Sequence, residues 1–248
     1  AITTNALNLR QKADMLVNGG LNKLFISLDG PADIHNEIRG HKSSHQRALE
    51  GIEAILSKKD ITIGVFCVIT EWNIGHLERF LEELKRFPLE QVGFMHSNFI
   101  TQANADAHNQ LFGEHYKATT SNIDGIDFSA YNFEVLEQEL AAISAAKHPF
   151  PVTVHPPVFS KNDLERYYLH PEQKVGKTCL DAFHNIMIKS DGSVIPAHGR
   201  CYNLNIGNIY EQELNQIWNS KEIAGLRKAL TKNGGLLPAC TRCCSAVG

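Results

Sequence analysis

Five of the six cysteines of this 248-residue chain lie in its last third, and their spacing suits a metal site. Cys240 and Cys243 form a C-x-x-C pair, which Cys179 and Cys201 precede along the chain. A C-x-x-C pair and two distant thiolates can converge on one zinc ion or one iron–sulfur cluster. The sequence therefore predicts a site for a soft metal, and zinc and iron–sulfur both fit this spacing.

The composition restricts the classes of protein to which the chain can belong. It carries a formal net charge of −3, with 43% hydrophobic and 21% charged residues, as expected of a chain that buries a core. This charge balance does not predict a basic surface that would bind nucleic acid or an anionic membrane. No apolar run approaches the roughly 20 residues that span a bilayer, and the first residues do not resemble a signal peptide. We expect a cytoplasmic protein with neither a nucleic-acid nor a membrane partner, in which clustered cysteines bind metal rather than form disulfides.

Strand and helix patterns alternate through the first half of the chain. Residues 23–28 and 61–70 are almost continuously apolar, as in parallel strands covered on both faces. Residues 91–96 form a weaker strand, and residues 1–4 resemble the end of another. Apolar residues at helical spacing lie between these strands. The alternation predicts a βα barrel or a doubly wound sheet.

Two segments interrupt this alternation. Residues 101–130 are rich in Asn, Asp, Ala, His and Gly and predict a long loop, where we expect substrate choice to be determined. Residues 160–177 are polar and predict a linker to the cysteine-bearing region. We therefore place two domains at residues 1–170 and 171–248.

Short motifs in both parts resemble radical SAM enzymes. Thr4-Asn5-Ala6, Ser27-Leu28-Asp29-Gly30 and His35-x-x-Ile38-Arg39-Gly40 are similar to the T-N-G, S-L-D-G and H-x-x-I-R-G motifs of that family's barrel, although alanine replaces the first glycine. The tail is similar to the SPASM or twitch extension, which holds auxiliary [4Fe–4S] clusters. Its matching motifs are Cys179, Asp191-Gly192, Gly207-Asn208-Ile209, Ile217-Trp218-Asn219-Ser220 and Cys240-x-x-Cys243.

The resemblance implies both a fold and a function. The fold would be α/β, a partial (β/α)6 TIM-like barrel comprising strands three to six, followed by a small β-hairpin-plus-helix module. The function would be that of a radical SAM oxidoreductase or maturase, which uses S-adenosylmethionine and iron–sulfur clusters to modify a peptide, a protein or a small molecule. An electron donor such as flavodoxin or ferredoxin would be a partner. The alternative is a non-catalytic scaffold derived from this fold that binds zinc or iron–sulfur.

Candidate site residues follow from the matched motifs. In a βα barrel, the carboxyl ends of the strands face the active site. A Ser27 hydroxyl there, together with the Arg39 guanidinium, can hold the carboxylate of a small zwitterion. The resemblance gives Ser27 and Arg39 contacts to the methionyl part of S-adenosylmethionine and places Asn5 and Asp29 in the same cofactor-binding site. Asn5 could instead only satisfy a turn. The predicted ligands of the auxiliary cluster are Cys179, Cys201, Cys240 and Cys243.

The chain departs from the family pattern in its catalytic motif. None of the cysteines forms the C-x-x-x-C-x-x-C motif that holds the catalytic cluster, so the 248 residues alone could not cleave the sulfonium. We expect that motif, and the first two βα units, to lie upstream of Ala1. A naturally shortened homologue without radical chemistry is the less economical explanation.

A second departure concerns the auxiliary site. Ala197 stands where the second cluster ligand is usual, and Cys201 follows four residues later. We favour Cys201 as the ligand, with His198 next, and Cys244 as a further substitute or a ligand of a second cluster. If none of them binds, one iron would stay open to substrate. Cys67 lies in an apolar run and is predicted to be a core thiol.

Overall fold

The computed structural model describes residues 1–58, 61–196, 204–243 and 246. The chain divides into two compact units. The first comprises residues 1–97 and 129–164, and the second comprises residues 98–128 and 165–248. The boundary predicted near residue 170 separates the barrel part from the cysteine-bearing module. This division differs from the two compact units, and it stays a prediction. None of the helices in the described part of the chain is long and apolar enough to cross a membrane.

The first unit is built on a parallel sheet of five strands in the order β1-β2-β3-β4-β5. Its strands are β1 (Ile2–Thr4), β2 (Lys23–Ser27), β3 (Thr62–Val68), β4 (Gln91–Met95) and β5 (Val152–His155). Its helices are α1 (Leu9–Asn18), α2 (Ala32–Ile38), α3 (Ser44–Leu56), α4 (Leu77–Leu84) and α6 (Phe133–Ala145), and α5 (Gln102–Phe112) belongs to the second unit.

The apolar runs form this sheet because their side chains are covered. Ile26, Val65 and Phe94, one from each of three neighbouring strands, are fully buried. All four predicted strands are present, and β5 adds a fifth. The α/β fold class and the partial, barrel-like parallel sheet are confirmed.

The second unit contains a small antiparallel sheet in the order β6-β7-β8. Gly192 turns the predicted hairpin with φ +80°, and a Cβ there would collide with the Tyr210 ring. The predicted I-W-N-S helix ends at Trp218, and a second helix begins after Ser220. The elements are α7 (Lys161–Leu169), which starts in the first unit, then α8 (Asp181–His184), β6 (Ile186–Ile188), β7 (Ser193–Pro196), β8 (Gly207–Asn208), α9 (Leu214–Trp218) and α10 (Lys221–Lys232).

The loop predicted for residues 101–130 is wrong in its first part, which forms helix α5. The Thr101 side chain caps this helix by accepting the Asn104 N–H at 3.2 Å. Asn104 in turn donates to the carbonyl oxygen of Pro171 at 3.0 Å, and Asn109 both donates to and accepts from the backbone of Ala118. Polar residues that suggested a loop are therefore the ones that fix this helix within the second unit.

A buried carboxylate fixes the start of α4 in the first unit. Glu139, on α6, is 6% exposed and accepts the N–H groups of Gly75 and Leu77 at 2.8 and 2.5 Å, with a longer contact to Glu78. The first N–H groups of a helix lack partners within the helix, and they favour negative charge. The carboxylate of Glu139 therefore caps α4 from a distant part of the sequence.

We expect Glu139→Ala to lower the free energy of unfolding by about 2–3 kcal/mol, because the N–H groups of Gly75 and Leu77, of which Leu77 is buried, lose their acceptor. Urea unfolding followed by circular dichroism measures the loss. Glu134→Gln on the same helix is the matched control, since the Glu134 side chain is 66% exposed. Equal losses for the two variants would contradict the capping role.

Candidate functional site

The predicted cofactor residues lie at one edge of the parallel sheet. Ser27 is the last residue of β2, and Asn5 directly follows β1. The two strands pair in parallel with Thr4 opposite Ile26, so Asn5 and Ser27 follow at the same, carboxyl edge. The Asn5 side chain is engaged in a local turn, because its Oδ1 accepts the Leu7 N–H at 3.2 Å.

Asp29 and Arg39 form a two-point ion pair beyond this edge. Nε of Arg39 donates to Oδ2 of Asp29 at 2.5 Å, and Nη2 donates to Oδ1 at 3.1 Å. The Asp29 side chain is 7% exposed, whereas that of Arg39 is 36% exposed. The pair fixes the guanidinium plane, and Nη1 has no hydrogen-bond partner among the residues that the structure describes. Arg39 can therefore present one oriented cationic donor to a ligand.

Asp29 itself is held in place by His35. The Asp29 N–H donates to Nδ1 of His35 at 3.0 Å, and His35 is fully buried. Burial alone would raise the pKa of the Asp29 carboxyl, but the neighbouring His35 ring and the Arg39 charge outweigh it, so the pKa lies below its usual value. Asp29 is consequently a carboxylate at neutral pH, which favours contact with Arg39 over contact with an anionic ligand group.

Asn73 was not predicted from the sequence and joins the ends of two strands. Its Nδ2 donates to the carbonyl oxygens of Asp29 at 2.9 Å and of Val68 at 2.7 Å. Its Oδ1 accepts the Thr70 N–H at 2.8 Å, and the residue is fully buried. Sγ of Cys67 lies 3.6 Å from the same Nδ2. Cys67 is also fully buried, which confirms its prediction as a core thiol.

The missing glycine of the first motif has a visible consequence. Ala6, which replaces it, has φ +59°, in the left-handed region that glycine adopts without steric cost. The Ala6 N–H donates to Oγ1 of Thr4 at 3.0 Å, and Ala6 is fully buried. Ala6 thus holds a backbone conformation that favours the glycine of the motif.

Three of the predicted cluster ligands lie in one part of the second unit. Cys179 and Cys240 are 7% and 8% exposed and belong to the same apolar cluster, against which Cys243 packs. Burial raises the pKa of the Cys179 thiol, and backbone N–H groups of Ala182 and Asp181 at this sulfur oppose the rise. The negative charge of Cys243 adds to the rise in the pKa of Cys179. The fold therefore brings the distant cysteine to the C-x-x-C pair.

The described residues do not show a finished metal site. Among them, no group of three or more His, Cys, Asp or Glu side chains is arranged to hold a metal ion. Cys201, the predicted fourth ligand, and its alternatives His198 and Cys244 lie outside the described residues. The donor set nevertheless fits a thiolate-bound centre, because two of the cysteines lie in one apolar cluster and the third packs against it.

A comparison with protein families identifies this cysteine-bearing part. Residues 179–244 match the model of SPASM, described as an iron-sulfur cluster-binding domain. The chain therefore carries a SPASM iron–sulfur domain in its C-terminal part, as the sequence motifs predict. No curated protein matches the sequence.

The fold of the whole chain is similar to that of solved radical SAM enzymes with this domain. Native anSMEcpe with bound AdoMet and the Kp18Cys peptide is 17% identical, with a TM-score of 0.51 over 90% of this chain and 57% of that one. Streptococcus suis SuiB bound to the precursor peptide SuiA is 15% identical, with a TM-score of 0.54 over 97% of this chain and 53% of that one. At these identities the likeness shows the fold, and the chain spans little more than half the length of either structure.

Proposed function

We propose that the chain is the C-terminal portion of a radical SAM oxidoreductase or maturase with an auxiliary iron–sulfur centre. The observation that carries the proposal is the SPASM domain at residues 179–244, in a chain with the fold of enzymes that bind AdoMet. No C-x-x-x-C-x-x-C motif occurs in the 248 residues, so the catalytic cluster would be held by residues outside them. The activity belongs to the complete enzyme.

A peptide is the substrate class that the comparisons favour. The relatives were solved with the Kp18Cys peptide and with the precursor peptide SuiA. A protein side chain or a small molecule remains the alternative within the same reaction class. We also propose flavodoxin or ferredoxin as the electron donor and the cytoplasm as the location.

In this proposal the residues of the chain bind the cofactors and orient them. Arg39, fixed by Asp29, donates from Nη1 to the methionyl carboxylate of S-adenosylmethionine, and the Ser27 hydroxyl adds a second hydrogen bond. Asn5 contributes its amide at the same edge. Cys179, Cys201, Cys240 and Cys243 would hold the auxiliary cluster, and Cys179, Cys240 and Cys243 lie in or against one apolar cluster of the second unit. When bound, the iron–sulfur groups would supply electrons for cleaving the cofactor and accept an electron from the substrate.

Titration of the intact chain with S-adenosylmethionine by calorimetry tests the cofactor role. We expect saturable binding, with S-adenosylhomocysteine as a second ligand that retains the carboxylate. A non-catalytic zinc or iron–sulfur scaffold, the alternative function, has no reason to bind either compound. Absence of binding by folded protein would favour that scaffold.

A further inference from the structure

Arg242 lies between the two cysteines of the C-x-x-C pair and is almost completely buried. It is 1% exposed and is the largest of the fully buried side chains among the described residues. Arginine is seldom buried unless it is paired. Because nothing in the C-x-x-C spacing requires an arginine, its burial needs an explanation.

The guanidinium donates to five backbone carbonyl oxygens. Nε donates to Tyr167, Nη1 to Gln173 at 2.9 Å and Thr241 at 2.8 Å, and Nη2 to Arg166 at 2.9 Å and His170 at 2.7 Å. All five N–H groups of an arginine are therefore used.

These bonds connect the C-x-x-C pair to the end of helix α7. Arg166 and Tyr167 lie in the last turn of α7, and His170 directly follows the helix. The carbonyl groups of a last turn have no partners within the helix and carry partial negative charge. The side chain of Arg242 thus caps α7 and fixes the backbone between Cys240 and Cys243.

The positive charge of Arg242 is only partly offset. No carboxylate of the described residues forms an ion pair with it, although the charge of Glu172 acts on it. The Tyr167 ring lies 5.1 Å from the guanidinium carbon, and the carbonyl groups of α7 contribute their partial charges. Burial of a charge without a counter-charge is costly. A thiolate-bound metal centre at the flanking cysteines would supply further negative charge.

We propose that Arg242 is a positioning residue of the metal centre, which fixes the C-x-x-C turn on α7 and balances the negative charge of the thiolate-bound group. This inference rests on the proposed binding of metal by Cys240 and Cys243. It assigns two effects to Arg242. The hydrogen bonds of Arg242 favour binding of the metal, and its charge raises the reduction potential of the cluster. The reduction potential of such clusters depends on net charge and hydrogen bonding.

Two substitutions separate these effects. Arg242→Lys keeps the charge but can satisfy no more than three of the carbonyl groups, whereas Arg242→Gln removes the charge as well. Lys228→Gln is the control, because it removes an exposed positive charge from the same unit. Each protein is reconstituted anaerobically with Fe²⁺ and sulfide, and separately with Co²⁺ alone.

We expect both Arg242 variants to bind Co²⁺ roughly tenfold or more weakly, the usual effect of losing an outer partner of a metal site. Any cluster that remains in Arg242→Gln should have a more negative reduction potential, while Arg242→Lys and Lys228→Gln should keep that of the wild type. Folded Arg242→Gln with wild-type loading and potential would overturn the inference. Wild-type protein that binds Co²⁺ but assembles no cluster would contradict the proposed function instead, and the Co²⁺ comparison would still test Arg242.

A measurement on the wild type keeps the inference testable if the variants do not fold. Hydrogen exchange is compared with and without Co²⁺. We expect the amides of residues 166–173 to gain protection together with those of residues 240–243, since Arg242 joins the two segments. Protection confined to the cysteine segment would overturn the inference.

Discussion

Replacing Cys179, Cys240 or Cys243 by serine is expected to abolish retention of iron and sulfide after anaerobic reconstitution. Each substitution removes a sulfur ligand that lies in or against one apolar cluster of the second unit, and a serine hydroxyl does not replace a thiolate on iron at neutral pH. Iron and sulfide per chain, measured after gel filtration, give the result. Full retention by any of the three variants would remove that cysteine from the ligand set.

Cys67→Ser is the matched control for these variants. Cys67 is fully buried in β3 of the first unit and belongs to no predicted site. Its substitution should lower stability without changing the iron content of the folded fraction. Equal losses of iron in Cys67→Ser would show that destabilisation, rather than ligand removal, explains the effect.

The fourth ligand requires its own comparison. We expect Cys201→Ser to lower the cluster content sharply, while His198→Ala and Cys244→Ser leave it unchanged. If His198→Ala lowers the content and Cys201→Ser does not, the histidine is the ligand. Retention in all three variants would favour a cluster with an open iron site.

The second large effect is expected for Arg39. Replacing it by glutamine should weaken binding of S-adenosylmethionine by roughly tenfold to a hundredfold, because a charged hydrogen bond to the carboxylate is worth about 1.5–3 kcal/mol. Asp29→Asn should weaken binding less, since it leaves Arg39 present but less firmly oriented. Calorimetric titration measures both affinities.

The exposed ion pair between Arg79 and Asp33 provides a control. Nη2 of Arg79 lies 2.6 Å from Oδ1 of Asp33, and the two side chains are 49% and 66% exposed. Arg79→Gln removes the same charge from the same unit and should leave the affinity unchanged. An unchanged affinity in folded Arg39→Gln would exclude Arg39 from the cofactor site.

The parts of the fold that local patterns encode were predictable from the sequence. The apolar runs at residues 23–28 and 61–70 became β2 and β3, because covered parallel strands need apolar side chains on both faces. The hairpin around Gly192 followed from its turn residues. The SPASM motifs were recognisable because their order is preserved, and the match to residues 179–244 confirms them.

Contacts between distant residues were not predictable. The residues of α5 appeared loop-like because Asn104 and Asn109 find their partners outside the helix. Asn73 and Arg242 have sequence surroundings that give no sign of the backbone groups they bind. Polar side chains whose partners are remote main-chain atoms leave no periodic pattern. The pairing of Arg39 with the side chain of Asp29, ten residues away, was likewise not predicted.

Metal analysis of the intact chain after anaerobic reconstitution tests the central claim most directly. We predict iron and sulfide bound by the SPASM domain, with broad absorbance near ~400 nm from thiolate-bound iron. Roughly stoichiometric zinc without that absorbance would contradict the iron–sulfur assignment and leave the zinc scaffold as the explanation.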